Sequence, residues 1–218
     1  MALTTVHLVR HGEVWNPEGV LYGRLPGWHL SPLGRRMAQR VAQFMAAVEL
    51  THLRCSPLER AQETMAPIAA GHPGLPVVTD ERLTEAGNHF QGQIFGLRNQ
   101  ALLRPTAWRF LVNPLRPSWG EPYRDIAARM GSAVAEARQA AGPGGQALIV
   151  SHQLPLWMAR RSAEGRPLPH DPRRRQCSLA SVTSLTYAGD TLVKIDYHEP
   201  AADLLPAKAR NKAFSVGR

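Results

Sequence analysis

Apolar residues along the chain recur in two alternating patterns, one typical of strands and one typical of helices. The mostly apolar run at residues 6–9 and the fully apolar run at 147–150 have the composition of strands that are buried on both faces. Shorter apolar segments at 51–55 and 77–79 predict two further strands. These four segments predict the strands of a buried sheet.

The segments between these strands have apolar residues at helical spacing. Ser31 and Pro32 predict the start of the first helix, as N-cap and first helical residue. Further helices are predicted over about 57–70, where Gly71 ends the helix, over about 121–141 and over about 155–163. The predicted apolar face of the first helix consists of Leu33, Met37, Val41, Phe44, Met45 and Val48.

Two late segments, 178–187 and 191–197, alternate between apolar and polar residues and are joined by residues 188–190. The glycine in this short link predicts a β-hairpin. Strands that alternate with helices indicate a mainly parallel sheet covered on both faces. The predicted fold class is therefore α/β, a three-layer α/β/α sandwich.

Two segments lack either pattern. Residues 87–120 are rich in glycine, proline and aromatic side chains and predict a small irregular cap, and residues 200–218 predict an extended C-terminal tail. A length of 218 residues fits one domain, which we expect to span residues 1–199.

Apolar runs and cysteine spacing indicate the cellular compartment in which the protein is expected. Apolar runs stay well short of the ~20 residues that a membrane span needs, and the first ten residues lack the pattern of a signal peptide. Cys55 and Cys177 fit neither a zinc-site spacing nor a disulfide framework, as is typical of a reducing compartment. We therefore expect a cytoplasmic protein that does not bind membranes.

The net charge of +9 predicts attraction to anions without selecting among them. Zinc-finger spacings, aromatic RNA-binding motifs and basic heptad helices are missing from the sequence, so a nucleic-acid partner is not expected. A phosphorylated small molecule is the alternative anion. The run Arg173–Arg175 is interpreted as a solvated loop rather than a substrate clamp.

Basic side chains follow three of the predicted strands at the point where each strand ends. Arg10 and His11 follow the first strand, Arg60 lies shortly after the second, and His152 follows the run at 147–150. Because ligands bind at the carboxyl ends of parallel strands, these four side chains are expected to converge. Two guanidinium groups and two imidazoles suit a phosphate dianion. A metal site is not expected, because paired acidic ligands at a recognisable spacing are missing.

Five segments resemble motifs of the histidine phosphatase superfamily, the phosphoglycerate mutase-like enzymes. Their order and spacing agree over about residues 5–198, and the resemblance implies a phosphoglycerate mutase-like fold. The segments are LVRHGEVWN (8–16), YGRLPGWHLSPLG (22–34), CSPLERAQET (55–64), RLTEAG (82–87) and ALIVSH (147–152).

The resemblance also implies roles for particular residues. His11 would accept the phosphoryl group as phosphohistidine, while Arg10, Arg60 and His152 would hold the phosphoryl oxygens. Glu85 would protonate the leaving alcohol and then activate water. The same resemblance implies catalysis without a metal or other cofactor.

Three residues beside these positions have weaker assignments. Asn16 matches a family position near the phosphate, although it could instead cap the turn that contains Pro17. Gln153 is a further substrate-binding candidate. Glu13 is expected to orient the loop after the first strand rather than to take part in the reaction.

The sequence departs from the family pattern at three places. Residues 88–92 are NHFQG where many members have a Trp-Glu-Gly element, and Gln153 follows the second histidine where glycine is common. Only 36 positions separate Glu85 from Glu121, and the acid-Arg-His-Tyr run of the cofactor-dependent mutases is missing. A shorter cap leaves the pocket more open to water, which favours hydrolysis over transfer.

The favoured function is therefore hydrolysis of a phosphomonoester. One alternative is a 2,3-bisphosphoglycerate-dependent phosphoglycerate mutase, and a lower-ranked one is a non-catalytic module that binds phosphate or a phosphoprotein. Specificity is expected to depend on residues 88–120, with the loop at Arg173–Arg175 as a further candidate. The substrate and the oligomeric state stay open at this point, a dimer included.

Overall fold

A computed structural model describes residues 2–94 and 120–205, and its strands form one sheet in the order β3-β2-β4-β1-β5-β6. The strands are β1 (Leu3–Arg10), β2 (His52–Cys55), β3 (Val77–Thr79), β4 (Gln146–Ser151), β5 (Val182–Ala188) and β6 (Thr191–His198).

Strand β1 lies in the interior of the sheet, between β4 and β5. It pairs in parallel with β4, which pairs in parallel with β2, and β2 pairs in parallel with β3. Strands β5 and β6 form the antiparallel hairpin that the sequence predicts. The mainly parallel sheet is confirmed.

Helices cover both faces of this sheet, which confirms the α/β/α sandwich. Alternate residues of β1 point to opposite faces: Val6 and Leu8 pack into one apolar cluster and Val9 into the other. The first cluster lies under α3 and α4, and the second lies under α1 and α2. The helices are α1 (Pro32–Met45), α2 (Glu59–Ala70), α3 (Tyr123–Ala141) and α4 (Gln153–Ala163).

Several predicted boundaries are wrong by two to four residues. Helix α2 begins at Glu59 rather than Pro57, α3 begins at Tyr123 rather than Glu121, and α4 begins directly after His152 rather than at Pro155. A proline in the first turn of α4 is tolerated, because the first amide groups of a helix have no intrahelical acceptor. Strand β5 begins at Val182 rather than at residue 178.

Helix α1 begins as predicted, since the Ser31 side chain accepts a hydrogen bond from the Gly34 amide. Two residues of its predicted apolar face differ from the prediction, since Val48 lies beyond the end of the helix at Met45 and Phe44 is exposed. Phe44 is 42% exposed, and its ring lies 5.2 Å from that of His198 at the end of β6. The predicted periodicity is therefore correct for Met37, Val41 and Met45, which are buried, and wrong for Phe44.

Two glycines let the loop after β1 cross the start of α1. A Cβ atom on Gly12 would lie 2.5 Å from the Gly34 carbonyl oxygen, and one on Gly34 would lie 2.0 Å from the Glu13 carbonyl oxygen. Neither distance is possible for a larger residue without a backbone shift. The close crossing fixes the course of the chain immediately after the β1 terminus.

The predicted irregular cap and tail fall largely outside the described residues, in 95–119 and 206–218. The start of the predicted tail differs from an extended segment: Ala201 is buried, and Arg40 of α1 pairs with Asp203. Among the described helices, none combines the length and apolar character that crossing a membrane requires.

Candidate active site

Two histidines lie side by side at the carboxyl ends of β1 and β4. Arg10 pairs in register with Ser151, so the next residues, His11 and His152, leave the two parallel strands at the same edge. Their ring centroids are 5.1 Å apart, and both side chains are buried. The structure therefore brings together the two histidines that the sequence places at strand ends.

Arg60 enters the same place from the first turn of α2 and is fully buried. Its Nη2 donates a hydrogen bond of 2.6 Å to the Gly23 carbonyl oxygen, and the guanidinium lies 4.7 Å above the ring of Tyr22. Cation–π contact and a backbone acceptor together hold the side chain in one orientation. Sequence reasoning did not identify this role of Tyr22.

Arg10, the last residue of β1, is also buried. Its Nη1 donates a hydrogen bond of 2.8 Å to the carbonyl oxygen of Cys177. The chain that precedes β5 therefore orients the second guanidinium of the site.

His11 is held as a neutral imidazole of known tautomer. Burial lowers its pKa well below 6.5, and the nearby Arg60 and Arg10 lower it further. Its Nδ1 lies 2.7 Å from the Gly12 carbonyl oxygen, which can only accept a hydrogen bond, so Nδ1 carries the proton. The other ring nitrogen, Nε2, is left with its lone pair.

His152 contacts a serine that the sequence analysis did not select. Its Nε2 lies 2.8 Å from Ser56 Oγ, and both side chains are fully buried. Ser56 Oγ also accepts a long hydrogen bond of 3.4 Å from the Leu58 amide. A hydroxyl that accepts from this amide can donate to His152 Nε2, and this arrangement places the imidazole proton on Nδ1. Burial, followed by the charge of Arg60, lowers the pKa of His152 well below 6.5.

Four buried donor or acceptor atoms of the site lack a hydrogen-bond partner among the described residues. They are Arg10 Nε, Arg60 Nε, Arg60 Nη1 and His152 Nδ1. A buried guanidinium nitrogen without an acceptor costs on the order of 1–3 kcal/mol, and such atoms are rare in folded proteins. Their concentration around His11 is the arrangement expected of an anion site.

Glu85 lies on the segment that follows β3 and is only half-buried. Its Oε1 accepts a hydrogen bond from the Ala86 amide. Burial lowers the pKa of Arg60, and the charge of Glu85 acts in the opposite direction. Ser151 Oγ donates to the Leu83 carbonyl oxygen, which ties the segment to the end of β4. The predicted acid therefore lies within electrostatic reach of the guanidinium of Arg60.

Glu121 holds the Glu85 segment in place. It accepts hydrogen bonds from the Arg129 guanidinium, from Arg24 and from the Gly87 amide. Arg24 Nε also donates to the Glu85 carbonyl oxygen, 2.6 Å away. Burial alone raises the pKa of Glu121, but the hydrogen bonds and charge of Arg129 outweigh it and lower the pKa overall. Glu121 is therefore ionised and engaged as a support.

The weaker site candidates have contacts within the surrounding loops. Asn16 exchanges two hydrogen bonds of 2.9 Å with the Val20 backbone, so it caps the turn that contains Pro17. Gln153 is buried at the start of α4, and its Nε2 lies 3.4 Å from the Cys177 carbonyl oxygen, next to Arg10. Glu13 accepts a hydrogen bond from the hydroxyl of Ser31.

The arginine run at 173–175 is not uniform. Arg173 is exposed and pairs with Asp171, and Arg174 is exposed as well, as expected of a solvated loop. Arg175 is 8% exposed, so the same interpretation is wrong for this residue. No group of three or more histidine, cysteine or acidic side chains suited to a metal ion occurs within the ranges 2–94 and 120–205.

The chain is similar in sequence to proteins of one known family. A family model for the histidine phosphatase superfamily (branch 1) matches residues 6–198. An uncharacterised protein of Mycobacterium tuberculosis is 55% identical over 199 residues, which cover 91% of this chain and 98% of that protein. A probable phosphoglycerate mutase of Yersinia enterocolitica is 35% identical over 187 residues, or 81% of this chain and 83% of the relative.

A solved structure has the same architecture. YhfR of Bacillus stearothermophilus superposes with a TM-score of 0.72 at 29% identity, over 87% of this chain and 94% of that one. The motif resemblance described above is thereby confirmed at the level of the family and of the fold.

Proposed function

Because the chain belongs to the histidine phosphatase superfamily, we propose that it hydrolyses a phosphorylated small molecule through a phosphohistidine on His11. The observation that carries the proposal is the geometry around this ring. An unprotonated Nε2 lies among buried guanidinium and imidazole nitrogens that have no partner in the described residues. A nucleophile surrounded by donors of this kind suits a phosphoryl group.

The first proposed step forms the bond between His11 Nε2 and phosphorus while the ester P–O bond breaks. The ring then carries a positive charge, which the Gly12 carbonyl oxygen stabilises through the Nδ1 proton. Arg10, Arg60 and His152 supply hydrogen bonds to the three oxygens that remain on phosphorus. The alkoxide leaving group takes its proton from Glu85.

The second proposed step releases phosphate. Glu85, now a carboxylate, removes a proton from a water molecule, and the water oxygen attacks phosphorus. The P–N bond breaks, its electron pair returns to His11 Nε2, and the free enzyme is regenerated. Each group thus returns to its starting protonation state without an added metal or cofactor.

The resemblance to a probable phosphoglycerate mutase favours a second candidate function. A mutase transfers the phosphoryl group from the histidine to a second hydroxyl group of the substrate instead of to water. The two activities differ in product, since only hydrolysis releases inorganic phosphate.

We place the catalytic domain in residues 1–199, with residues 87–120 as its cap.

The test is a screen of phosphate release over phosphorylated metabolites in the presence of EDTA. Wild-type protein should release phosphate, and quenching during turnover should trap a phosphoprotein that is stable in base and labile in acid. His11→Ala should abolish both signals, whereas the matched control His198→Ala, at an exposed position, should retain them.

Three experimental results would contradict the proposed phosphatase activity. Conversion of 3-phosphoglycerate to 2-phosphoglycerate without phosphate release, dependent on 2,3-bisphosphoglycerate, would establish the mutase. Activity restored only by Mg²⁺ or Zn²⁺ would contradict metal-independent chemistry. Binding of vanadate with no turnover of any ester would indicate the non-catalytic module.

A further inference from the structure

Strand β6 forms one edge of the sheet and is eight residues long. Its inner edge pairs with β5 along its whole length. In the part of the chain that the structure describes, no strand or loop forms a backbone hydrogen bond with its outer edge. The N–H and C=O groups of such an edge are a template for another strand. The opposite edge strand, β3, has only three residues, so β6 is the edge with room for a partner.

The exposed side chains of β6 carry both signs of charge. Lys194 and Asp196 are two positions apart and therefore lie on the same face of the strand. Lys194 Nζ lies 3.0 Å from the Asp196 carboxylate, and the two side chains are 65% and 35% exposed. The neighbouring Val193 is 52% exposed, so the edge also presents apolar surface. Any strand that pairs with β6 must match this sequence of charges.

A second copy of β6 matches it. Directly opposed residues lie on the same side of a sheet, so two identical antiparallel strands pair with one residue facing its own copy. With Ile195 at that position, Lys194 of each copy faces Asp196 of the other. Opposite charges at opposed positions stabilise a pair of strands, and like charges destabilise it. These three residues lie on the His198 side of the irregularity in the β5–β6 pairing, which falls at Val193.

Other registers of the same pair are less favourable. Centring the pair on either charged residue places two like charges opposite each other. A centre at Tyr197 leaves only three residues of the strand in the ladder, 196–198, whereas a centre at Ile195 allows up to seven, 192–198. Charge and strand length therefore select the same register.

We propose that β6 is the interface of a homodimer, in which two copies pair antiparallel around Ile195 and form one continuous sheet. The same edge is used by both copies, so the assembly closes at two and does not grow into a filament. A short ladder buries less than the roughly 1,200–2,000 Å² of a standard interface, which predicts a dissociation constant in the micromolar range. Strand β6 contributes none of the site residues described above, so the inference does not depend on the proposed phosphatase.

Analytical ultracentrifugation of wild-type protein between about 1 and 500 µM measures this equilibrium, and monomer should convert to dimer across that range. Hydrogen–deuterium exchange at the two ends of the range identifies the surface. Peptides that cover residues 191–198 should exchange more slowly in the dimer, because the outer amides of β6 become hydrogen-bonded. Peptides that cover β3 should exchange at the same rate in both states.

Charge-swap variants test the register. Lys194→Asp places two carboxylates opposite each other on both sides of the axis and should weaken dimerisation by at least about 10-fold. Adding Asp196→Lys restores both pairs in reverse order and should return the dissociation constant to within about threefold of wild type. This double variant also keeps the ion pair within each strand, so it separates loss of pairing from loss of folding.

Arg173→Asp is the matched control for the single variant. Arg173 is exposed and also pairs with an aspartate two positions away, Asp171, but it lies in a loop outside the sheet. The variant makes the same change of net charge and should leave the dissociation constant unchanged.

Three outcomes would overturn the inference. Monomer at the highest concentration would show that this edge does not pair. A dimer that forms equally well with Lys194→Asp, or that forms without slower exchange in residues 191–198, would place the interface elsewhere. A double variant that is folded but stays monomeric would show that the two charges do not set the register.

Discussion

Asp80 connects β3 with the segment that carries Glu85, and its replacement by asparagine should destabilise the protein in a pH-dependent way. The Asp80 side chain is only 7% exposed and accepts a hydrogen bond of 2.6 Å from Arg54 Nη1. Its oxygens also accept from the backbone amide and the guanidinium of Arg82. Asp80 thereby caps the short helical turn that precedes Glu85.

The size of the effect follows from the pKa of Asp80. Burial alone raises this pKa, but hydrogen bonds from Arg82 and Arg54 outweigh it and lower the pKa from 3.8 to about 2. At about 1.4 kcal/mol per pKa unit, the ionised carboxylate contributes about 2 kcal/mol to the free energy of unfolding at neutral pH. Asn cannot supply this contribution.

The direction of the pH dependence follows from the lowered pKa. A carboxyl group whose pKa is lower in the folded state stabilises the protein above its unfolded pKa, and that contribution is lost as pH falls through the folded value. The difference between wild type and Asp80→Asn should therefore be about 2 kcal/mol at pH 7 and about half as large at pH 3.

Urea unfolding of both proteins at several pH values measures this difference. Asp190→Asn is a matched control, because Asp190 pairs with Arg138 but its side chain is 96% exposed. This control should change the free energy of unfolding by less than about 1 kcal/mol. A loss for Asp80→Asn that is constant between pH 7 and pH 3 would refute the assignment of the stabilisation to the ionised carboxylate.

Three further predictions concern the site and its support. Glu85→Gln should slow phosphoenzyme formation from alkyl phosphates by about 10²- to 10⁴-fold. The loss on p-nitrophenyl phosphate should be far smaller, because nitrophenolate leaves without a proton. Rapid-quench kinetics measure this step, and equal losses on both substrates would exclude proton donation by Glu85. Ser56→Ala removes the hydroxyl that orients His152 and should lower kcat by roughly 5- to 100-fold at unchanged fold, with Ser56→Thr retaining more activity than alanine; unchanged kcat would show that the hydroxyl does not set the tautomer. Gly34→Ala places a Cβ atom against the Glu13 carbonyl oxygen. It should lower the free energy of unfolding by about 1–3 kcal/mol, and the midpoint of urea unfolding with it. An unchanged midpoint would mean that the backbone shifts at this crossing without cost.

The parts of the site that lie at strand ends could be predicted from the sequence. An apolar run that stops at Arg10 and His11, and a second that stops at Ser151 and His152, each mark a strand terminus by local pattern alone. Parallel pairing then brings the carboxyl ends of the two strands to the same edge of the sheet, and this does not depend on the exact register of the pairing. Local periodicity and one topological rule were therefore sufficient for these residues.

Residues whose roles depend on distant partners could not be predicted. Ser56 would be an ordinary helix cap by local pattern, but its hydroxyl is bonded to His152, 96 positions away, and α2 begins later than expected. Glu121 similarly derives its role from distant partners, the Arg24 guanidinium and the Gly87 amide. Charged residues in irregular segments carry no periodicity that reports burial, so Arg175 could not be distinguished from its two exposed neighbours.

The interior position of β1 has a consequence for how the chain is made. Strand β1, which ends immediately before His11, is synthesised before the strands that flank it, because both of these come from the second half of the chain, at Gln146–Ser151 and Val182–Ala188. At a translation rate of about 5–20 residues per second, β1 waits roughly 7–27 s on the ribosome for its first neighbour. During this interval its unpaired edges and its apolar faces are open to other chains. Nascent fragments that end before β4 should therefore require chaperones and should bind no oxyanion.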